Sequence, residues 1–139
     1  MEIKQTLNIP ASYFYQKVID SVLFDIRKQT GQTMTAAQLM NYAYDKSFGN
    51  NGKATIKVTQ LIKDQSYHYE TSSPRGTYQA SYDIFANNAD SIQVIYRESA
   101  KASGKLQQAN DAFMGVIMGF MRKRGFKKML KQIEKSYTE

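Results

Sequence analysis

The sequence of 139 residues contains no cysteine, no tryptophan, one histidine and two prolines. Without cysteine the chain can form neither a disulfide nor a thiolate metal site, which fits a reducing compartment. It has no run of 18 apolar residues that could form a transmembrane helix. Its first ten residues also lack the basic and apolar regions of a signal peptide. We therefore expect a single cytoplasmic domain of a prokaryotic kind over residues 1–139.

Acidic residues are scarce toward the C-terminus. From Lys101 onward the sequence contains nine lysines and arginines but only three acidic residues, so this part carries most of the formal charge of +7. Such a basic stretch could contact nucleic acid or an anionic membrane surface. The apolar residues between its cations instead favour an amphipathic helix that packs on a core and leaves its lysines in water. We expect neither a nucleic-acid nor a membrane partner, and a homodimer stays open.

The first third of the chain mixes strand and helix patterns. Residues 2–9 alternate between apolar and polar, which predicts a strand. Four-residue apolar spacing then predicts a helix that begins at an N-cap on Ser12, runs to about Lys28 and is capped by Gly31. Residues 33–48 are ambiguous between helix and strand, and we favour a short helix that leads into a strand.

The middle of the chain has the two-residue period of an antiparallel meander. Turn residues separate its strands every eight to fourteen positions. The pattern predicts an inner face made of Ala54, Ile56, Val58, Ile62, Tyr67, Tyr69, Thr71, Tyr78, Ala80, Tyr82, Ile84, Ile92, Val94 and Tyr96. A connection of small residues, Ala100–Lys105, should follow.

The last third, residues 106–137, has the apolar spacing of a long helix. Its apolar residues form two stripes, one up to Met121 and one from Phe126, which point in nearly opposite directions at 100° per residue. One straight helix cannot bury both stripes against the same surface. We therefore predict a bend or short break near Gly125.

This order of elements, with the opening IKQTLNIPASYFYQKVID and the closing FKKMLKQIEKSY, resembles the START-like superfamily, also called the Bet v 1-like or SRPBCC fold. The segments YAYDKSF and SYHYETSSPRGTYQASYDI and the lysine-rich ending resemble, more specifically, a Firmicutes family known as domain of unknown function 3284. The resemblance implies an α+β helix-grip fold of order β-α-α-β(5-6)-α. In that fold a curved antiparallel sheet of about six or seven strands wraps a long C-terminal helix.

In such a fold a cavity between the sheet and the last helix can hold an apolar ligand. Flexible thioethers and aromatic rings with a polar hydroxyl suit the wall of such a cavity, although the same side chains could simply fill a solid core. The residues expected to face the cavity are Tyr44, Tyr67, Tyr69, Tyr78, Tyr82 and Tyr96 from the strands, and Met114, Met118 and Met121 from the helix.

Evidence for catalysis or metal binding in the sequence is weak. His68 could act as a base or metal ligand with Glu70 as its partner, but a single histidine in a strand is more often a solvent-facing alternate. The carboxylates show no metal-ligand spacing, so we expect no metal and no cofactor. We predict that the protein binds a small and mostly apolar ligand. Whether it is also an enzyme stays open, and binding without catalysis is favoured. The alternative is a structural or protein-interaction module with a filled core.

Overall fold

The computed structural model describes residues 2–49, 52–74, 76–102 and 123–138. Its elements follow one another as a strand, a long helix, a short 3₁₀ turn, five strands and a final helix. Their bounds are β1 Glu2–Leu7, α1 Ala11–Thr30, the 3₁₀ turn Ala36–Gln38, β2 Ala43–Ser47, β3 Lys53–Ile62, β4 Ser66–Ser73, β5 Gly76–Asn88, β6 Ser91–Ala102 and α2 Lys123–Tyr137.

The six strands form one antiparallel sheet in the order β1-β6-β5-β4-β3-β2. The meander β2 to β6 is built from neighbouring hairpins, and β1 adds to its free edge by pairing with β6. The predicted helix-grip fold is confirmed, with six strands. For residues 33–48 the prediction is also confirmed, because a short 3₁₀ turn leads into β2. The side chain of Gln38 accepts a hydrogen bond from the Thr35 N–H at 3.0 Å and so caps that turn.

Two boundaries differ from the prediction. The first helix begins at Ala11 rather than after an N-cap at Ser12, because the Pro10 carbonyl already accepts a hydrogen bond from the Phe14 N–H at 3.2 Å. Pro10 is extended, with φ of −66° and ψ of 149°, and its side chain makes no capping bond. Residues 100–102, predicted as a connection, instead continue β6, since they pair with Gly76, Thr77 and Tyr78 of β5.

A β-bulge in β3 corrects one inner-face prediction. The pairing of β3 with β4 shifts register between Val58 and Gln60, so Thr59 is an extra residue on the β3 side. Beyond the bulge the alternation is reversed, and Leu61 turns inward while Ile62 turns outward. The side chain of Ile62 is therefore 45% exposed, although it was predicted to face the core.

Both helices pack on the inner face of the sheet. From α1 the core receives a stripe at helical spacing, and from α2 it receives Phe126 and Leu130. The Phe126 ring stacks on Tyr96 of β6, with the ring centroids 4.2 Å apart and the planes 13° from parallel. The lysines of α2 lie on its exposed side, as its amphipathic pattern predicted.

Of the predicted bend or short break near Gly125, a break at Gly125 itself does not occur, because α2 runs through this residue. Among the described residues, no atom outside the helix's own backbone lies within 4 Å of where a Cβ on Gly125 would be. The first apolar stripe of the predicted long helix lies outside the described residues. Within the described residues, neither helix is long and apolar enough to cross a membrane.

Candidate ligand-binding groove

The six tyrosines predicted for the inner wall all lie on strands, on the inner face of the sheet. Tyr67, Tyr82 and Tyr96 occupy one row across the sheet, since β4, β5 and β6 pair them directly. Their rings follow one another, with centroids 6.0 Å apart between Tyr67 and Tyr82 and 4.8 Å apart between Tyr82 and Tyr96. Tyr69 stacks beside Tyr67 at 5.3 Å. The sheet thus places an aromatic ladder under the two helices.

A groove of about 520 Å³ opens between α1, α2 and this inner face. Four predicted residues line it: Tyr44, Tyr67, Tyr69 and Tyr82. Tyr78 and Tyr96 lie on the same face but are 1% and 0% exposed and do not line the groove. The remaining three predicted residues, Met114, Met118 and Met121, lie outside the described residues.

Residues from the helices complete the groove and were not predicted for it. Val18 and Val22 of α1 form one apolar wall, and Met129 and Ile133 of α2 form another. Each pair is spaced four residues apart, so that both members lie on the same side of their helix. The amphipathic stripes of the sequence contain this signal, but they do not show that a gap remains between the helices. Phe24 stands at the opening and is 70% exposed.

At one end of the groove a small polar cluster joins α1 to β2. The Tyr44 hydroxyl donates a hydrogen bond of 2.6 Å to Oδ2 of Asp25, and Lys46 Nζ lies 3.2 Å from Oδ1 of the same carboxylate. Burial, and then the hydrogen bond to Asp25, raise the pKa of Tyr44 above its ordinary value. Tyr44 therefore remains a neutral hydrogen-bond donor at physiological pH.

A second polar cluster lies in the core beside the aromatic ladder. The Tyr96 hydroxyl donates a hydrogen bond of 2.6 Å to Glu98 Oε1, and the Tyr78 and Tyr96 hydroxyl oxygens are 3.1 Å apart. Because Tyr96 has a single hydroxyl hydrogen, the hydrogen between the two tyrosines comes from Tyr78. Glu98 is only 7% exposed. Its inward position follows from alternation with Tyr96, a signal that the prediction did not use.

His68 lies on the opposite, outer face of the sheet. Its Nε2 is 2.9 Å from Oδ1 of Asp83 on β5, and it does not use the predicted partner Glu70. Arg97 Nη1 lies 3.8 Å from the other oxygen of Asp83, and Arg97 Nε donates to Glu2 at 2.6 Å. These groups form a half-exposed ionic network across four strands. They have no access to the groove, because the sheet stands between them.

Groups of three or more acidic or histidine side chains that could hold a metal ion are absent from the described ranges 2–49, 52–74, 76–102 and 123–138. Within these ranges the polar side chains that line the groove are the tyrosine hydroxyls, Ser21, Asp25, Lys17 and Lys46.

Sequence comparison assigns the chain to a family. The profile of the family described as domain of unknown function 3284 (DUF3284) matches residues 1–119. The chain belongs to the DUF3284 family. No curated protein sequence matches this family member.

Solved structures similar to this DUF3284 member show its fold. A conserved protein from Geobacillus kaustophilus is 20% identical with a TM-score of 0.52, and the match covers 97% of this chain and 95% of that one. Norcoclaurine synthase from Thalictrum flavum, in complex with dopamine and hydroxybenzaldehyde, is 8% identical with a TM-score of 0.62 over 99% of this chain and 85% of that one. A point mutant of that enzyme is 5% identical with a TM-score of 0.65, and the match covers 100% of this chain and 95% of that one. The Bet v 1-like, START-like fold expected from the sequence is thereby confirmed.

Proposed function

We propose that this protein binds a small, mostly apolar molecule in the groove between α1, α2 and the sheet. The observation that supports the proposal is the lining of the groove, where aromatic and aliphatic side chains surround a few polar groups. Its volume of about 520 Å³ lies in the range of small-molecule sites. In the similar norcoclaurine synthase structure the protein is in complex with two small aromatic compounds.

The apolar area that a ligand buries sets a lower limit on the size of a ligand that binds with micromolar affinity. One aromatic ring system buries about 200 Å², which contributes about 5 kcal/mol before ordering costs. Micromolar affinity requires about 8 kcal/mol. We therefore propose a ligand with two or more rings, or an equivalent aliphatic skeleton, oriented by one or two tyrosine hydroxyls.

The groove can be tested with the neutral fluorescent probe N-phenyl-1-naphthylamine. We expect saturable binding of one probe per chain, with an affinity several-fold weaker in Phe24→Ala because this ring lines the opening. The matched control is Phe85→Ala, which removes another exposed ring, 52% accessible, from the outer face. Both changes should alter stability little, since both rings are largely in water. Absence of saturable binding, or equal effects of the two variants, would contradict the proposal.

A protein-interaction module is the second candidate, and the outer face of the sheet favours it. Ile62 and Phe85 are exposed there to 45% and 52%, and exposed apolar strand residues are a feature of interaction surfaces. A symmetric pairing of two copies through this face would cover both residues. Sedimentation analysis of the wild type and of Phe85→Ser would detect such a dimer, which the substitution should dissociate. A monomer at all concentrations would exclude it.

We also propose that the protein acts in the cytoplasm, because a chain without cysteine is suited to a reducing compartment. Fractionation of cells that carry a tagged copy would test this location.

A further inference from the structure

We infer that the ligand of the groove carries an anionic group that is held at the rim by Lys17. This inference rests on the proposed function and specifies the chemical class of ligand, an amphiphile with an apolar body and one acidic headgroup. The observation behind it is the separation of polarity within the groove, which has aromatic and aliphatic residues at its floor and charged residues along one edge.

The charged edge follows from the helical geometry of α1. Lys17, Ser21 and Asp25 are spaced four residues apart and form a polar row along the rim. Val18 and Val22 lie one position further round the helix and face the interior of the groove. A ligand whose apolar body contacts the two valines would therefore place a polar end beside this row.

The charge of the rim is net positive. Both oxygens of Asp25 are already engaged, one by Lys46 at 3.2 Å and the other by the Tyr44 hydroxyl at 2.6 Å. In the described part of the chain, Lys17 has no carboxylate within 4 Å, and its Nζ lies 5.3 Å from the centroid of the Tyr13 ring. Lys46 thus balances the charge of Asp25, whereas the charge of Lys17 is not balanced within this part of the chain. An anionic headgroup beside Lys17 would balance it.

The position of these lysines suits recognition of an anion rather than its deep burial. The Lys46 side chain is 31% exposed and Lys17 is exposed, so a headgroup at the rim would keep part of its hydration. It would therefore avoid most of the desolvation cost of a buried charge. At such a half-exposed site each ion pair should strengthen binding by about three- to fivefold.

Two probes with the same aromatic skeleton isolate this effect. 8-Anilinonaphthalene-1-sulfonate carries a sulfonate that N-phenyl-1-naphthylamine lacks, so the ratio of their affinities reports on the anion alone. We expect Lys17→Gln to lower the ratio of sulfonate-probe to neutral-probe affinity by about three- to fivefold. Lys46→Gln should lower it less, because Lys46 is paired with Asp25, two helical turns away from Lys17 on α1.

The matched control is Lys28→Gln, which removes the same charge from an exposed position of α1 outside the groove. It should leave the ratio unchanged, and circular dichroism should show that all variants are folded. If Lys17→Gln and Lys28→Gln change the ratio equally, the anion is attracted by net charge alone and the inference is wrong, while binding of the neutral probe still supports the proposed function. If neither probe binds saturably, the proposed function itself fails and the inference fails with it.

Discussion

The clearest physical consequence of the tyrosine-lined interior is sensitivity to alkaline pH. Burial raises the pKa of Tyr15 on α1 and of six tyrosines on the inner face of the sheet above the ordinary value of 10.0, to about 12 for Tyr69. The cause is the loss of hydration that a phenolate would suffer between the sheet and the helices. The six residues are Tyr44, Tyr67, Tyr69, Tyr78, Tyr82 and Tyr96.

These shifts reduce stability as the pH rises above 10. In the unfolded chain a tyrosine ionises near pH 10, whereas in the folded protein the six stay protonated. The unfolded state then binds fewer protons, and the free energy of unfolding falls with increasing pH. One pH unit above 10, each of them lowers the free energy of unfolding by about 1.4 kcal/mol, and all six by about 8 kcal/mol. Since domains are typically stable by about 5–15 kcal/mol, the protein should unfold near pH 11.

An alkaline titration followed by two signals would test this calculation. Tyrosinate absorbance and far-ultraviolet circular dichroism should change together, in one cooperative step. In Tyr82→Phe, which removes one of the six ionisable groups, the step should move to higher pH. Tyr137→Phe is the control, because this ring lies at the exposed end of α2. Gradual ionisation of all tyrosines near pH 10 with unchanged circular dichroism would refute the reasoning.

Further predictions concern a buried hydrogen bond and two glycines. Tyr96→Phe removes the hydroxyl that donates to the Glu98 carboxylate and should lower the free energy of unfolding by about 1.5–3 kcal/mol. An unchanged midpoint of urea denaturation would contradict this hydrogen bond. Gly31→Ala should destabilise the protein by about 1 kcal/mol because Gly31 has a φ of 77°. Gly125→Ala, inside α2, should stabilise it by about 0.5–1 kcal/mol, and thermal unfolding that shifts both variants in the same direction would argue against these conformations.

Local patterns sufficed to predict most of the fold. The strands and α1 were predicted from the spacing of their apolar residues, which can be read directly from the sequence. The same alternation identified the tyrosines of the inner face. The bulge at Thr59 could not be predicted, because an extra residue is recognised only by its pairing with β4. The start of α1 depended on whether the Pro10 carbonyl or the Ser12 side chain satisfied the first turn.

The residues of the groove were likewise predictable only in part. Alternation placed Tyr44, Tyr67, Tyr69 and Tyr82 on the inner face, but it could not separate them from Tyr78 and Tyr96, which share that face and are fully buried. For Tyr96 the difference arises from where α2 sits, since the Phe126 ring stacks on it. His68 was paired with Glu70 on its own strand, yet the nearer carboxylate belongs to the neighbouring strand.

By itself the sequence determined which side chains face inward and which elements form, because both depend on the chain's own periodicity. The tertiary structure alone decided where space is left between those elements. A groove is the difference between the packing surfaces of α1, α2 and the sheet, and no residue of any one element carries that information. The polar rim has the same origin, since Asp25, Tyr44 and Lys46 meet only when α1 packs beside β2.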